Sequence, residues 1–271
     1  STNGSSHSLL KVHQTNTPYT GSPALGLLAG MLAGIVFNMI FAFNTITLRS
    51  GQIINGMALN LMAPGLVTFI FRAVIGLGVT PDSTRTMGNV KIPLLSKLPV
   101  LGRSLFGSSP MFYVALLIAF VTWLFFNKTK RGLDFAAVGE NPHAAESIGI
   151  PVVRVKYLAC ILCGALAGLG GAFLTTGYLS MLTEGMVAGR GFIALSAVIF
   201  GGWKIGGIVA ATLLFGFADA LQMRLLVAVK VIPSELFAML PYLFTFFALV
   251  MKRDKSAGPK AVGQAYIRES Q

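Results

Sequence analysis

Few residues of this 271-residue chain have the types and spacing of reactive groups. Cys160 and Cys163 have the C-x-x-C spacing of a redox or zinc pair. They lie in one apolar run without a second ligand pair, so ordinary burial explains them better. The three histidines, His7, His13 and His143, form no metal-type pair with another ligand. We therefore predict a chain that is not an enzyme, with no metal site and no cofactor of its own.

A glycine-rich stretch with one lysine, residues 201–207, is the second candidate for chemistry. It lacks the G-x-x-x-x-G-K-[ST] order with which a P-loop cradles phosphates. Its neighbours are apolar segments that are individually short. Such glycine-interrupted pairs are typical of broken helices that line a pathway in membrane transport proteins.

The composition excludes two large classes of protein. Apolar residues make up 54% of the chain and charged residues 11%, whereas a soluble domain has about 25% charged residues. A mean hydropathy of +0.74 also excludes a disordered chain. The 21 Lys and Arg against 9 Asp and Glu mostly fall between apolar runs, which indicates contact with anionic membrane lipids and not with nucleic acid.

A helix that crosses a bilayer needs about 20 mostly apolar residues. The sequence therefore predicts an all-α polytopic membrane protein with about six apolar segments. These are Pro23–Thr47, Ile53–Ile75 with an interruption at Pro64, Met111–Phe126, Val153–Gly177, the short pair Gly191–Gly201 and Ile205–Leu221, and Leu236–Met251.

The distribution of basic residues predicts on which side of the membrane the segments within and beside the transmembrane region, residues 23–251, lie. Basic residues cluster around the polar segment 127–151 and in the tail 252–271, and both are therefore expected on the cytoplasmic side. Residues 76–110 then form an external loop. Residues 1–22 are polar and are interpreted as an N-terminal loop.

Small and polar residues inside the spans suggest how the helices meet. Glycines recur at a spacing of four, which places them on one helix face for close packing; they are Gly26, Gly30 and Gly34, and Gly164 and Gly168. Candidates for a translocation path are the intramembrane polar residues Asn38, Asn44, Asn60 and Ser196. Hydrogen bonding between helices is the other interpretation of these four residues.

The most informative segment is residues 131–151. Asn141 can cap a helix that begins at Pro142, and Gly149 can end it before Pro151. Ala144, Ala145 and Ile148 would give that helix a small apolar surface. Such a helix suits a groove on another protein, although a solvated loop remains an alternative.

Several blocks, in one order from about Pro23 to Gln271, resemble bacterial ABC importer permeases of the branched-chain amino acid, ribose and nucleoside type. The blocks include Gly56-Met57-Ala58-Leu59-Asn60, Ala137-Val138-Gly139-Glu140-Asn141-Pro142, Gly164 to Ala172 and Gly191 to Gly201. The likeness is best to simple-sugar and nucleoside permeases, and the tail residues Ala265-Tyr266-Ile267 also fit that subgroup. The first spans of the family are expected to be missing from this numbering.

The resemblance implies a multi-pass subunit of the bacterial inner membrane with a cytoplasmic C-terminus. Its implied partners are an ABC ATPase that binds ATP and Mg, a second and paralogous permease, and a substrate-binding lipoprotein. It implies a cytoplasmic coupling helix whose ATPase-docking residues are Glu140, Asn141, Pro142, Ala144, Ala145 and Gly149. Nucleosides or simple sugars are the expected cargo, with branched-chain amino acids as the main alternative. A secondary transporter driven by an ion gradient would need mid-membrane ionisable groups, which this chain almost lacks.

Overall fold

The computed structural model describes residues 23–75, 110–175, 187, 189–228, 239, 246, 250, 258–264 and 266. Within those residues the chain is helical and has no strand. The helices are α1 (Pro23–Ala42), α2 (Gln52–Ile75), α3 (Pro110–Lys128), α4 (Lys130–Glu140), α5 (Pro142–Ser147), α6 (Val152–Phe173), α7 (Arg190–Phe200) and α8 (Ile205–Ala228). A π-helical turn, Phe43–Thr47, continues α1.

Within the described residues, five helical stretches are long and apolar enough to cross a membrane: Ala24–Thr47, Gln52–Ala73, Pro110–Lys128, Val152–Phe173 and Ile205–Leu225. The shorter apolar helix α7 precedes the last of them. Most side chains of these stretches point outward from the chain, as helices must when lipid or a neighbouring subunit surrounds them. The predicted all-α polytopic membrane fold is confirmed.

The structure corrects one detail of the predicted spans. Pro64 does not interrupt the second span, because α2 runs through it as a single helix. Proline is tolerated inside membrane helices when neighbouring groups satisfy the backbone that it frees. The predicted N-terminal loop, the external loop up to residue 109 and most of the last span, Leu236–Met251, lie outside the described residues.

The closest helix pair in the described chain is α1 against α6. A Cβ atom at Gly164 would lie 2.6 Å from the carbonyl oxygen of Gly34, and one at Gly30 would lie 2.6 Å from the Cβ of Ala172. Gly168 approaches Gly34 in the same way. The two backbones therefore meet with almost no side chain between them. This increases the dispersion contacts between the helices, which matters in lipid because the hydrophobic effect does not drive helices together there.

Polar bonds also join these two helices. The side-chain amide of Asn38 donates to the carbonyl oxygen of Cys160. At the end of the α1–α6 contact that is farthest from Gly30, the hydroxyls of Thr47 and Tyr157 are hydrogen-bonded to each other. Together with the glycines, these bonds fix the register of α1 on α6.

A second compact unit is the α7–α8 hairpin. Ala197, Ala211 and Phe215 are buried between its helices, with Phe200 packed against them. The turn that joins the helices is tight: a Cβ atom at Gly201 would lie 2.7 Å from the Cα of Ile208. The predicted break after the short helix α7 is therefore a tight turn that leads directly into α8.

We predict that Gly164→Val lowers the stability of the protein by about 1–3 kcal/mol, because the added side chain must separate α1 from α6. Thermal unfolding in detergent measures the effect. Gly170→Val is the matched control, since it adds the same β-branched side chain to the same helix where no other heavy atom lies within 4 Å. Equal melting temperatures for the two variants would contradict the proposed α1–α6 contact.

Candidate functional site

The polar segment between α3 and α6 folds into the two helices α4 and α5. The side chain of Thr129 caps α4 by accepting a hydrogen bond from the backbone N–H of Gly132 at 3.1 Å. Gly132 lies so close to α3 that a Cβ there would stand 2.8 Å from the Cα of Phe126. Phe125 and Phe135 pack edge to face, with their ring centres 5.6 Å apart. The chain thus turns sharply from α3 into α4 and holds that turn by packing.

The ends of α5 follow the sequence prediction. The side-chain oxygen of Asn141 accepts from the backbone N–H of Ala144 at 3.1 Å, and Pro142 is the first helical residue. Gly149 has a φ of +86°, a left-handed conformation that costs other residues about 1–2 kcal/mol. The capped start and the glycine end of α5 are confirmed, and they give a six-residue helix a defined direction.

A small apolar core holds α4 and α5 against the start of α6. Val138, Ala145, Val152 and Val155 are buried together. Ala145 is only 2% exposed, so it lies beneath the outer face of α5 and not on it. Of the other predicted docking residues, Glu140, Asn141, Ala144 and Gly149 are exposed and Pro142 is half-buried. Ile148 is 75% exposed and gives this outer face an apolar side chain.

The C-terminal tail lies along this segment, which the sequence analysis did not predict. The backbone N–H of Ala261 donates to the carbonyl oxygen of Gly139 at 3.2 Å. Lys260 forms an ion pair with Glu140 at 3.4 Å. Both side chains are more than half exposed, so this pair adds little to stability. The tail and the α4–α5 segment are therefore on the same side of the membrane.

Tyr266 is the main tail residue at this site. Its hydroxyl donates to the carboxylate of Glu146 on α5, and its ring packs on the small apolar core. The His143 ring lies 5.4 Å from it, and the Lys156 ammonium stands 5.3 Å from its centre, a cation–π arrangement. The available sequence signal was a single aromatic residue in a basic, mostly polar tail.

The four predicted path residues lie in four different elements. Asn38 is half-buried on α1, and its amide is bonded to α6. Asn44 is half-buried in the π-helical turn, where its backbone carbonyl oxygen accepts a hydrogen bond from the Ser50 hydroxyl at 2.9 Å. Asn60 is exposed on α2, and Ser196 is half-buried on α7. For Asn38 the observed bond matches the helix-to-helix interpretation, and a translocation path through these residues stays a prediction.

The other candidates from the sequence are placed as follows. The glycine Gly26 is half-buried on α1, one turn before Gly30. Cys160 and Cys163 are free thiols. On α6, Cys160 is half-buried and Cys163 faces outward from the chain. Among the described residues no three of His, Cys, Asp or Glu are grouped to hold a metal ion.

We predict that Asn141→Ala destabilises α5 by about 1 kcal/mol, because the backbone N–H of Ala144 loses its partner. Hydrogen exchange of the amides in residues 144–147 should accelerate. Asn141→Ser is the control, since a serine oxygen can cap the same amide. Equal exchange in wild type and both variants would show that the cap does not stabilise α5.

The family described as "Branched-chain amino acid transport system / permease component" matches residues 5–249. Guanosine ABC transporter permease protein NupQ of Bacillus subtilis is 37% identical over 91% of this chain and 78% of its own length. Nucleoside ABC transporter permease protein NupC of Lactococcus lactis is 36% identical over the same shares of both chains. Putative glucose ABC transporter permease protein TsgC13 of Haloferax volcanii is 36% identical over 77% of this chain and 63% of its own.

The same two bacteria each have a second permease that is also similar to this chain. NupB of Lactococcus lactis is 27% identical over 70% of the chain, and NupP of Bacillus subtilis is 35% identical over 38%. No solved structure matches. Because the family match spans most of the residues and includes both the spans and the α4–α5 segment, this chain belongs to the permease component family of branched-chain amino acid transport systems.

Proposed function

We propose that this permease subunit of an ABC importer forms the membrane path for nucleosides. The observation that carries the cargo class is its similarity to NupQ and NupC over 91% of its length. Those two relatives are named for guanosine and nucleoside transport. Selection of the cargo also depends on a binding lipoprotein, which we propose as the external partner.

The α4–α5 segment is the proposed dock for the ATPase. A short helix transmits force only if it is fixed to the helices that must move. Here α5 is fixed to α6 through the buried Ala145 and Val152, and it is tied to α4 through Asn141. Its outer face presents Ala144, Ile148 and Gly149 to a partner. These features support an element that moves together with the membrane helices.

The remaining partners follow from this assignment. A second permease completes the path, and the presence of two similar permeases in each of two bacteria favours a paralogue over an identical copy. ATP and Mg bind to the partner ATPase, and this chain itself catalyses no reaction. The basic residues around α4–α5 and the adjoining tail support a cytoplasmic location for both.

Simple sugars are the second candidate cargo, because TsgC13 is named as a putative glucose permease. Branched-chain amino acids are the third candidate, and they appear in the description of the family. The three cargo classes differ enough in chemistry for one competition experiment to separate them.

We predict that the purified complex, reconstituted in vesicles, takes up labelled guanosine only when ATP is present on the side of the membrane where the ATPase is bound. Excess unlabelled adenosine or uridine should compete, whereas glucose and leucine should not. Uptake must survive collapse of the proton gradient and stop with vanadate. Competition by glucose or leucine alone would replace the nucleoside assignment, and gradient-dependent uptake insensitive to vanadate would replace the ABC mechanism.

We further predict that Gly149→Val separates ATP hydrolysis from uptake. Valine disfavours the left-handed φ of +86° by about 1–2 kcal/mol, so the end of α5 must shift although no atom stands in the way of the side chain. The complex should insert normally and still hydrolyse ATP, with less cargo taken up per ATP. Gly149→Asn is the control, because asparagine tolerates this conformation. Wild-type uptake by Gly149→Val would show that the docking assignment is wrong.

A further inference from the structure

The C-terminal tail contacts two parts of the molecule that otherwise have little contact. Pro259 lies against Gly139 at the end of α4, and a Cβ at Gly139 would stand 3.6 Å from the Cβ of Pro259. The neighbouring Gly258 lies against the indole of Trp203, so closely that a Cβ there would stand 2.8 Å from the ring. Within two residues, the tail therefore passes from the α4–α5 segment to the turn between α7 and α8.

That turn is a fixed structure and not a slack loop. Gly202 and Trp203 both have positive φ angles, +66° and +61°. Their backbone amides donate to the carbonyl oxygens of Ile199 and Val198 at the end of α7. A force applied to Trp203 is consequently delivered to the ends of α7 and α8 together.

Within the described residues, the α4–α5 segment has few direct contacts with the α7–α8 hairpin. In the described part of the chain, α4 packs on α3, α5 and α6, but none of α4, α5 and α6 packs extensively on α7 or α8. The helix α3 does touch α8 as well as α4. Among the described residues, the tail adds a direct contact between the α4–α5 segment and the turn between α7 and α8.

Resting on the proposed ATPase docking, we propose that residues 258–264 and 266 are a second link in the coupling unit. They transmit displacement of α5 to the α7–α8 hairpin through Trp203, while the direct connection of α5 moves α6. Tyr266 and Gly258 are positioning residues in this scheme. Displacement of α5 reaches the tail at Tyr266, which contacts Glu146 of α5. The tail passes it on at the contact between Gly258 and Trp203.

The tail is held more strongly by its contacts with α4 and α5 than by its contact with the turn between α7 and α8. At α5 the tail is held by the Tyr266 ring packed on the small apolar core and by a hydrogen bond to Glu146, and at α4 by the backbone bond from Ala261 to Gly139. At the turn the tail has a glycine, which lets its backbone approach the indole. The tail therefore moves with α5 and pushes on Trp203 by direct contact.

Two variants test the link in the complete transporter reconstituted in vesicles. Tyr266→Ala removes the hold on α5, and Gly258→Val moves the tail away from Trp203. In both, the ATPase should copurify and hydrolyse ATP at the wild-type rate, while cargo taken up per ATP falls by about 5-fold or more, the lower range of typical site-to-site coupling. Tyr266→Phe should retain most uptake because the ring remains. Val262→Ala, at an exposed tail residue, is the matched control.

A disulfide tests the same link without removing a contact. The 3.6 Å Cβ separation suits a bridge between Gly139→Cys and Pro259→Cys, made in a background with Cys160→Ser and Cys163→Ser. If the tail moves with α5, the oxidised transporter keeps its uptake. Loss of uptake on oxidation, with recovery on reduction, would show that the tail must leave α4 and would overturn the proposal.

The outcomes separate this proposal from the function on which it rests. Absence of a bound ATPase or of ATP-driven uptake in wild type would remove the proposed function itself. A working wild type with unchanged uptake per ATP in both Tyr266→Ala and Gly258→Val would remove only the tail link. Parallel loss of ATPase binding and uptake in both variants would also overturn it, since the tail would then only stabilise the fold.

Discussion

A helix of six residues does not hold its shape in water by its own hydrogen bonds. The stability of α5 must therefore come from its surroundings, and the burial of Ala145 against Val138, Val152 and Val155 is the contact on which its orientation depends. A larger residue at that position would lift the helix, while a polar one would lack a partner there. The outer face is free to serve a partner because the inner face is committed to this small core.

The core in turn continues into the longest helix contact of the described chain. Val152 and Val155 begin α6, and the same helix meets α1 through Gly164 and Gly168. Backbones that approach this closely cannot slide without colliding. The α4–α5 segment and the α1–α6 pair are thereby joined through contacts on the same helix, α6.

Much of this arrangement is readable in the sequence, and the unreadable part has a common cause. Asn141, Pro142 and Gly149 carry local signals for helix ends, and an apolar run of sufficient length predicts a span. Burial of Ala145 rather than Ala144 depends on which face meets α6, which spacing within six residues does not determine. The position of Tyr266 depends on contacts more than 100 residues away in the chain. Pro64 shows the converse, because a strong local signal is overridden when the helix continues through it.

The π-helical turn Phe43–Thr47 changes the phase of the first span. An α-helix has 3.6 residues per turn, whereas the i→i+5 bonds of a π-helix close a wider turn, so the last five residues of this span advance by a smaller angle per residue. A helical wheel drawn through the whole span would therefore assign the wrong azimuth to every side chain beyond Ala42. The faces that Phe43–Thr47 present to neighbouring helices therefore cannot be read from the periodicity of Pro23–Ala42.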